Sequence, residues 1–201
     1  MTTAALLLAA GESTRMGRLK QLLPWDDTTL LGWQVRQLRD AGVDDVVVVL
    51  GHAAEEIVAA VGTLAARIVV NEAYHEGRAS SLRRGAEALS DETEAVLILS
   101  VAQPRPAWVS RRLLEARGEA GGLIIVPRSD GRRGHPVLLR GSLLPELRQV
   151  SEAELGLRAV MQRHREETNE IEIENECINI DLNSQSDFQD AYVSWQQGAW
   201  A

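Results

Sequence analysis

The sequence predicts an α/β fold, in which a single doubly wound and mostly parallel sheet carries helices on both faces. Two observations lead to this prediction. Short apolar runs alternate along the chain with longer segments of helical periodicity, and each run is short and continuous enough for a strand buried on both faces. The chain has 201 residues, a length that suits one domain, and no linker or internal repeat divides it. We therefore expect residues 1–201 to form one domain.

The predicted strands are short runs rich in Leu, Val and Ile, with turn formers or charged residues on each side. They cover 4–9, 45–50, 66–70, 95–100 and 123–126. Because a helical pattern follows each of them, the strands are expected to lie parallel in one sheet.

The predicted helices carry apolar residues at helical spacing. Thr28 is the expected N-cap of the first helix, and Gly42 is its expected C-terminal stop. Ser151 and Glu154 have the spacing of a capping box at the start of a later helix. The predicted helices cover 29–41, 53–61, 79–89, 105–117 and 153–165, and a last one begins at Ser186.

Two segments interrupt the alternation of strands and helices. Residues 129–136, SDGRRGHP, have the composition of a glycine-rich loop with two arginines, and residues 171–180 look like a late extended stretch. Neither segment has the length or composition of a domain linker.

Composition and charge exclude several classes of protein. A net charge of −8 argues against a general nucleic-acid binder, which needs a basic face. The longest apolar runs, 4–10 and 46–50, are far shorter than the roughly 20 residues that cross a bilayer, so no membrane partner is expected. The single cysteine, Cys177, fits a reducing compartment and excludes a multi-cysteine zinc site. We expect a cytoplasmic protein.

The loop after the first strand is the first place to look for chemistry, because open α/β sheets bind ligands at the carboxyl ends of their strands. Small residues begin this loop, and Arg15, Arg18 and Lys20 follow. Small residues let backbone N–H groups approach an anion closely, so the loop suits a polyphosphate. Its spacing matches neither a Walker A loop nor the GxGxxG motif, since five residues separate Gly11 from Gly17.

The whole loop string resembles a known family. Residues 8–25, LAAGESTRMGRLKQLLPW, are similar to the LAAGxSxRMGxxKxLLP signature of MobA-like nucleotidyltransferases, in particular the molybdenum cofactor cytidylyltransferases. The similarity extends over about residues 4–190. Its supporting motifs are Thr29-Leu30-Leu31, Gly51-His52, Asn71 with Gly77 and Ser80-Ser81-Leu82, Gly134-His135-Pro136-Val137, and Asn179-Ile180-Asp181.

The resemblance implies transfer of a nucleotidyl group from a nucleoside triphosphate to a phosphorylated acceptor, with release of pyrophosphate. It implies that Arg15 holds the β- and γ-phosphates and that Lys20 neutralises the α-phosphate. The LAAG form favours CTP over GTP. By the same resemblance, the nucleotide is bound by Leu8, Ala9, Ala10, Gly11, Asn71, Ser80 and Ser81, and the acceptor, molybdopterin in the molybdenum branch, by Gly134, His135 and Pro136.

One position departs from the family. By the resemblance, Ala102 stands where the family's GDxP string has a magnesium-binding aspartate, whereas Asp181 corresponds to the second family carboxylate, with Asp187 near enough in sequence to be considered. Magnesium needs oxygen ligands, so metal binding is expected to be weakened.

Three interpretations follow. The first is a cytidylyltransferase that uses Mg²⁺ and CTP, with a molybdoenzyme or cofactor-delivery protein as a further partner. The second is a nucleotide- or cofactor-binding protein that lost catalysis with Ala102. The third is recruitment to redox chemistry with a flavin, for which the low aromatic content, 4%, offers few stacking surfaces.

Overall fold

A computed structural model describes residues 2–119 and 121–201, apart from the side chain of residue 119. The main sheet contains eight strands, in the order β10-β7-β9-β6-β1-β4-β5, with β8 paired to β7. Its strands are β1 (Thr3–Leu8), β4 (Asp45–Leu50), β5 (Arg67–Val70), β6 (Ala95–Ser100), β7 (Ile124–Ser129), β8 (Arg132–Arg133), β9 (Val137–Arg140) and β10 (Thr168–Glu172), and a separate hairpin pairs β2 (Pro24–Trp25) with β3 (Thr28–Thr29).

The sheet is mostly parallel. Neighbours β5, β4, β1 and β6 run parallel, as do β7 and β10, whereas β9 runs antiparallel to both β6 and β7. The carboxyl ends of β1, β4, β5 and β6 therefore meet at one edge, and β9 begins at that same edge because Val137 pairs with Ile98. The predicted α/β class is confirmed.

Helices cover both faces of the sheet. They are α1 (Leu30–Asp40), α2 (Ala54–Val61), α3 (Arg78–Glu87), α4 (Ala107–Glu119), α5 (Leu144–Leu147), α6 (Leu157–Arg163) and α7 (Gln185–Gln196). Alternate residues of β1 show the two faces: Leu7 packs in the core with α1, α4 and α7, whereas Leu6 packs in the core with α3, α5 and α6. Such two-sided burial explains the continuous apolar runs. Within the described residues, no helix combines the length and the apolarity that crossing a bilayer requires.

Several predicted boundaries are wrong. The N-cap of α1 is Thr29 rather than Thr28, because the Thr29 side chain accepts a hydrogen bond from the Gly32 N–H. The helix predicted over 153–165 begins only at Leu157, since Leu155 and Gly156 both have positive φ, 64° and 54°, which no helix accommodates. Ser151 and Glu154 do bond through their side chains, at 3.2 Å, but in a turn ahead of the helix.

The two segments that interrupt the pattern also differ from expectation. Residues 129–136 contain β8, which turns back on β7. The extended stretch predicted over 171–180 ends with β10, and a 3-10 turn, Glu176–Asn179, follows it. Asn175 caps this turn by accepting a hydrogen bond from the Cys177 N–H at 2.9 Å. Strands β2, β3 and β9 were not predicted.

Candidate functional site

The candidate site lies where the strand ends meet. Loops 9–23, 71–77 and 101–106 leave β1, β5 and β6 at this edge, and residues 134–136 enter β9 there. Hydrogen bonds join the loops directly: the Val101 N–H donates to the Leu8 carbonyl at 2.9 Å, and the Asn71 N–H donates to the Leu50 carbonyl at 2.8 Å. The structure thus brings together the segments that carry the predicted nucleotide and acceptor residues.

Loop 9–23 is held in a compact shape by its own side chains. Ser13 adopts a left-handed conformation, φ 56°, and its hydroxyl accepts a hydrogen bond from the Lys20 N–H at 3.2 Å. The buried Gln21 amide donates to the Ala9 carbonyl at 2.6 Å from beneath the loop. Gly17, with φ 66°, makes a reversal that glycine adopts without strain. These contacts fix the positions from which Arg15 and Lys20 project.

The start of this loop offers a row of free donors. Across the described part of the chain, no group accepts a hydrogen bond from the backbone N–H of Ala10, Gly11, Glu12 or Ser13. A Cβ at Gly11 would meet nothing within 4 Å, so the space beside it is open. Successive free N–H groups on small residues are a recurring anion-binding arrangement.

The loop cations lie against the segment that carries Asp181. The Arg15 guanidinium donates to the Asn183 side-chain oxygen at 3.0 Å. Arg18 donates to the Gln185 side-chain oxygen at 3.0 Å and lies 5.8 Å from the centre of the Phe188 ring. Both residues are exposed, so a ligand can reach them. These contacts join two predicted parts of the site, the cationic loop (residues 9–23) and the Asp181 segment (residues 181–185).

Lys20 is the one lysine in the sequence, and it is half-buried. Burial lowers the pKa of its ammonium group, and Arg15 lowers it further, whereas Asp181 and Asp187 oppose this shift. Asp187 is itself occupied, because its carboxylate accepts hydrogen bonds from the Ser184 N–H at 2.7 Å and the Asn183 N–H at 2.9 Å. Asp181 is exposed and is therefore the carboxylate available next to the Lys20 charge.

Asn71, Ser80 and Ser81 form a buried network. The Asn71 amide donates to the two serine hydroxyls at 2.9 and 3.0 Å, and its oxygen accepts from the Ala73 N–H at 3.1 Å. The Ser80 hydroxyl lies within hydrogen-bond distance of two carbonyls of the 71–77 loop, those of Ala73 and Gly77. These side chains hold the loop in place. Their direct contact with a nucleotide stays a prediction.

The predicted acceptor residues lie on the other side of the β6 end. Gly134 is required there, because a Cβ would come within 2.5 Å of the Ile178 carbonyl oxygen. His135 is half-buried and Pro136 is buried. The His135 N–H donates to the Ile178 carbonyl at 3.0 Å, which ties this loop to the segment leading to Asp181.

A buried arginine, which no motif of the sequence indicates, fixes this arrangement. The Arg105 guanidinium donates to the carbonyls of His135, Ile178 and Ile180 at 3.0, 2.7 and 2.8 Å. Burial lowers its pKa to about 10, and no carboxylate among the described residues pairs with it. The one signal available was an arginine between Pro104 and Pro106 after an apolar strand.

Ala102 lies against the segment that carries Asp181, and these are the two positions that the resemblance assigns to the family's carboxylates. The Leu182 N–H donates to the Ala102 carbonyl at 2.7 Å. The side chain at position 102 is a methyl group, so Asp181 is the only carboxylate of this pair. Among the described residues, no group of three or more His, Cys, Asp or Glu side chains is placed to hold a metal ion. One carboxylate fits a magnesium ion that arrives bound to the triphosphate, since such ions keep phosphate and water ligands.

Known proteins resemble the chain along most of its length. Nicotine blue oxidoreductase of Paenarthrobacter nicotinovorans is 31% identical over 166 residues, which cover 79% of this chain and 80% of that protein. Molybdenum cofactor cytidylyltransferase of Escherichia coli K12 is 24% identical over 186 residues, 91% of this chain and 92% of that enzyme. Both similarities extend over more than three quarters of the chain.

Among solved structures, Rv0371c of Mycobacterium tuberculosis H37Rv superposes with a TM-score of 0.83 at 28% identity, covering 96% of this chain and 98% of that one. Rv0371c has also been solved in complex with manganese. The family model of the MobA-like NTP transferase domain matches residues 5–168. This match spans well over half of the sequence, and the chain belongs to the MobA-like NTP transferase family.

Proposed function

We propose that the protein transfers CMP from CTP to a phosphate of a small acceptor such as molybdopterin, with release of pyrophosphate. The observation that carries this proposal is the junction of the cationic loop with the Asp181 segment, made by the Arg15–Asn183 and Arg18–Gln185 hydrogen bonds. It gathers free backbone donors, cations and one carboxylate at the strand ends, as a bound triphosphate requires. We place the reaction in the cytoplasm, where the single Cys177 stays reduced.

In the proposed reaction an oxygen of the acceptor phosphate attacks the α-phosphorus of CTP. The bond between this phosphorus and the oxygen that bridges it to the β-phosphorus breaks, and pyrophosphate leaves with the electron pair. Lys20 neutralises charge at the α-phosphate, and Arg15 holds the β- and γ-phosphates. Catalysis then consists of positioning and charge neutralisation, the usual means in phosphoryl chemistry.

We assign the first two of the four free N–H groups, those of Ala10 and Gly11, to the base, and leave those of Glu12 and Ser13 for the phosphates. The first two support a pyrimidine with acceptor atoms at its edge. Ala10 and Gly11 can only donate from their backbone nitrogens. Cytosine presents two neighbouring acceptors, its O2 and N3 atoms, whereas guanine presents N–H donors at the corresponding edge. Donors facing donors repel each other, and each unpaired buried donor costs about 1–3 kcal/mol. This asymmetry favours CTP over GTP.

Magnesium would be held by Asp181 and the phosphate oxygens. When bound, it would supply positive charge to the triphosphate and the leaving pyrophosphate. Since position 102 is an alanine, this chain contributes fewer metal ligands than the two-carboxylate pattern of the family. We infer that Lys20 and Arg15 carry a larger part of the charge neutralisation here.

The second candidate function is nucleotide binding without turnover, and Ala102 is the observation that favours it. The third is redox chemistry, which the 31% identity to nicotine blue oxidoreductase brings into consideration. Nucleotide binding without turnover would make the protein a binding partner, and redox chemistry would make it a modifying enzyme. A role beside a molybdoenzyme fits cytidylyl transfer and nucleotide binding, the first two candidate functions.

Measuring pyrophosphate release tests the proposal. The purified protein is incubated with molybdopterin, Mg²⁺ and each of CTP, GTP, ATP and UTP. We expect release with CTP above the other three, and loss of that release in Lys20→Ala. The matched control is Arg112→Ala, which removes an exposed charge on α4, a helix that contributes nothing to the cationic loop. Binding of CTP without pyrophosphate release would support the second candidate function instead.

A further inference from the structure

The side chain of Gln103 connects the backbone of β6 to the predicted acceptor loop. Its oxygen Oε1 accepts a hydrogen bond from the Ser100 N–H at 3.0 Å. Its nitrogen Nε2 lies 3.1 Å from Nδ1 of His135. A backbone N–H can only donate, so the amide oxygen must face Ser100 and the amide NH₂ must face His135. Gln103 is buried, at 4% exposure, which keeps water from replacing either contact.

This geometry determines where the imidazole proton lies. The Gln103 NH₂ is a donor, so Nδ1 of His135 must be an acceptor without a proton. A neutral imidazole then carries its proton on Nε2. Burial, together with the charges of Arg105 and Arg78, lowers the pKa of His135 to about 4. His135 is therefore neutral near pH 7.

The other ring nitrogen is open. No group in the described part of the chain bonds to Nε2 of His135. This nitrogen is nevertheless not one of the fully buried polar atoms without a hydrogen-bond partner. This nitrogen therefore keeps some exposure to solvent. Of the two arginines whose charges act on His135, Arg105 is buried, whereas Arg78 at the start of α3 is exposed.

We propose that Gln103 is a positioning residue that holds His135 as the Nε2–H tautomer, so that the acceptor site presents one neutral N–H donor. The acceptor that fits presents an unprotonated oxygen or ring nitrogen to the His135 N–H. A protonated ring nitrogen at the same place would be rejected. The tautomer rests on the hydrogen bonds alone, and the statement about the acceptor rests on the proposed function.

Imidazole nitrogen signals test the tautomer without any nucleotide. The full chain is labelled with ¹⁵N-histidine, and long-range ¹H–¹⁵N spectra at pH 7 distinguish protonated from unprotonated ring nitrogens. The chain has four histidines, and His135 is assigned by the loss of its signals in His135→Asn. We expect a protonated Nε2 and an unprotonated Nδ1.

In Gln103→Glu, a carboxylate oxygen faces Nδ1, so a proton should move onto Nδ1. In Gln103→Met, which cannot donate, the two tautomers should mix.

The three other histidines in the same spectra are the internal control, since none contacts Gln103. A wild-type Nδ1–H signal, or unchanged His135 signals in Gln103→Glu or Gln103→Met, would overturn the proposal. If Gln103→Glu fails to fold, the wild type and Gln103→Met decide alone. The statement about the acceptor is tested by kinetics: the KM for molybdopterin should rise about tenfold in Gln103→Met, the effect of losing one hydrogen bond. Absence of turnover in the wild type would count against the proposed function and leave the tautomer result intact.

Discussion

Replacing Lys20 by alanine should weaken CTP binding about 30-fold. Lys20 is half-buried at the start of a 3-10 turn in the cationic loop. The effective dielectric constant between its charge and a phosphate therefore lies between the values for a protein surface and for bulk water. A unit charge pair at ~4 Å contributes about 4 kcal/mol at an effective dielectric constant of ~20, and about 1 kcal/mol in water. An intermediate value of about 2 kcal/mol corresponds to about 30-fold in Kd.

Calorimetric titration with CTP at low and at moderate salt measures this loss. Lys20→Arg should recover part of the affinity because it keeps the charge, and Arg112→Ala should bind as the wild type does. The difference between wild type and Lys20→Ala should shrink as salt rises, since screening weakens exposed charge interactions. Equal affinity of wild type and Lys20→Ala would refute the assignment of Lys20 to the phosphates.

Three further predictions concern other parts of the structure. Ala102→Asp should strengthen the Mg²⁺ dependence of CTP binding about tenfold, because it restores a carboxylate beside Asp181; calorimetry with and without Mg²⁺ checks this, and an unchanged dependence would contradict a metal position there. Arg105→Met should lower the free energy of unfolding by about 3 kcal/mol, since three buried carbonyls lose a charged donor; a loss below about 1 kcal/mol in urea unfolding would contradict it. Hydrogen bonds to Glu167 and Glu146 raise the pKa of His164, so its stabilising contribution is full below the unfolded pKa and is lost as pH rises through the folded value. His164→Gln should therefore cost about 0.5 kcal/mol at pH 5.5 and nothing at pH 9; equal costs at both pH values would be inconsistent with titration of this residue.

The sequence predicted the parallel strands well because burial on both faces leaves a continuous apolar run. It missed β9, Val137–Arg140, whose four residues pair with β6 and β7 only through the tertiary fold. The sequence misplaces the start of α6, because Ser151 and Glu154 have the spacing of a capping box although Gly156 lies inside the predicted helix. A glycine inside a predicted helix is a sign of a break, and here it marks one.

The cationic residues of the site were predictable, since Arg15 and Lys20 stand in a recognisable string. Gln103 and Arg105 were not, because their importance lies in hydrogen bonds to backbone carbonyls and to His135 that only the folded chain brings into reach. A buried guanidinium without a carboxylate partner has no sequence pattern of its own. The contact of Arg15 with Asn183, 168 residues apart, is likewise a product of the fold.

Our central hypothesis is that the strand-end loops form a site for CTP with magnesium bound to its phosphates. Calorimetric titration of the purified protein with CTP, GTP, ATP and UTP, each with and without Mg²⁺, tests this claim most directly. We predict that CTP binds most tightly and that Mg²⁺ strengthens its binding. If none of the four triphosphates binds under either condition, the claim is contradicted.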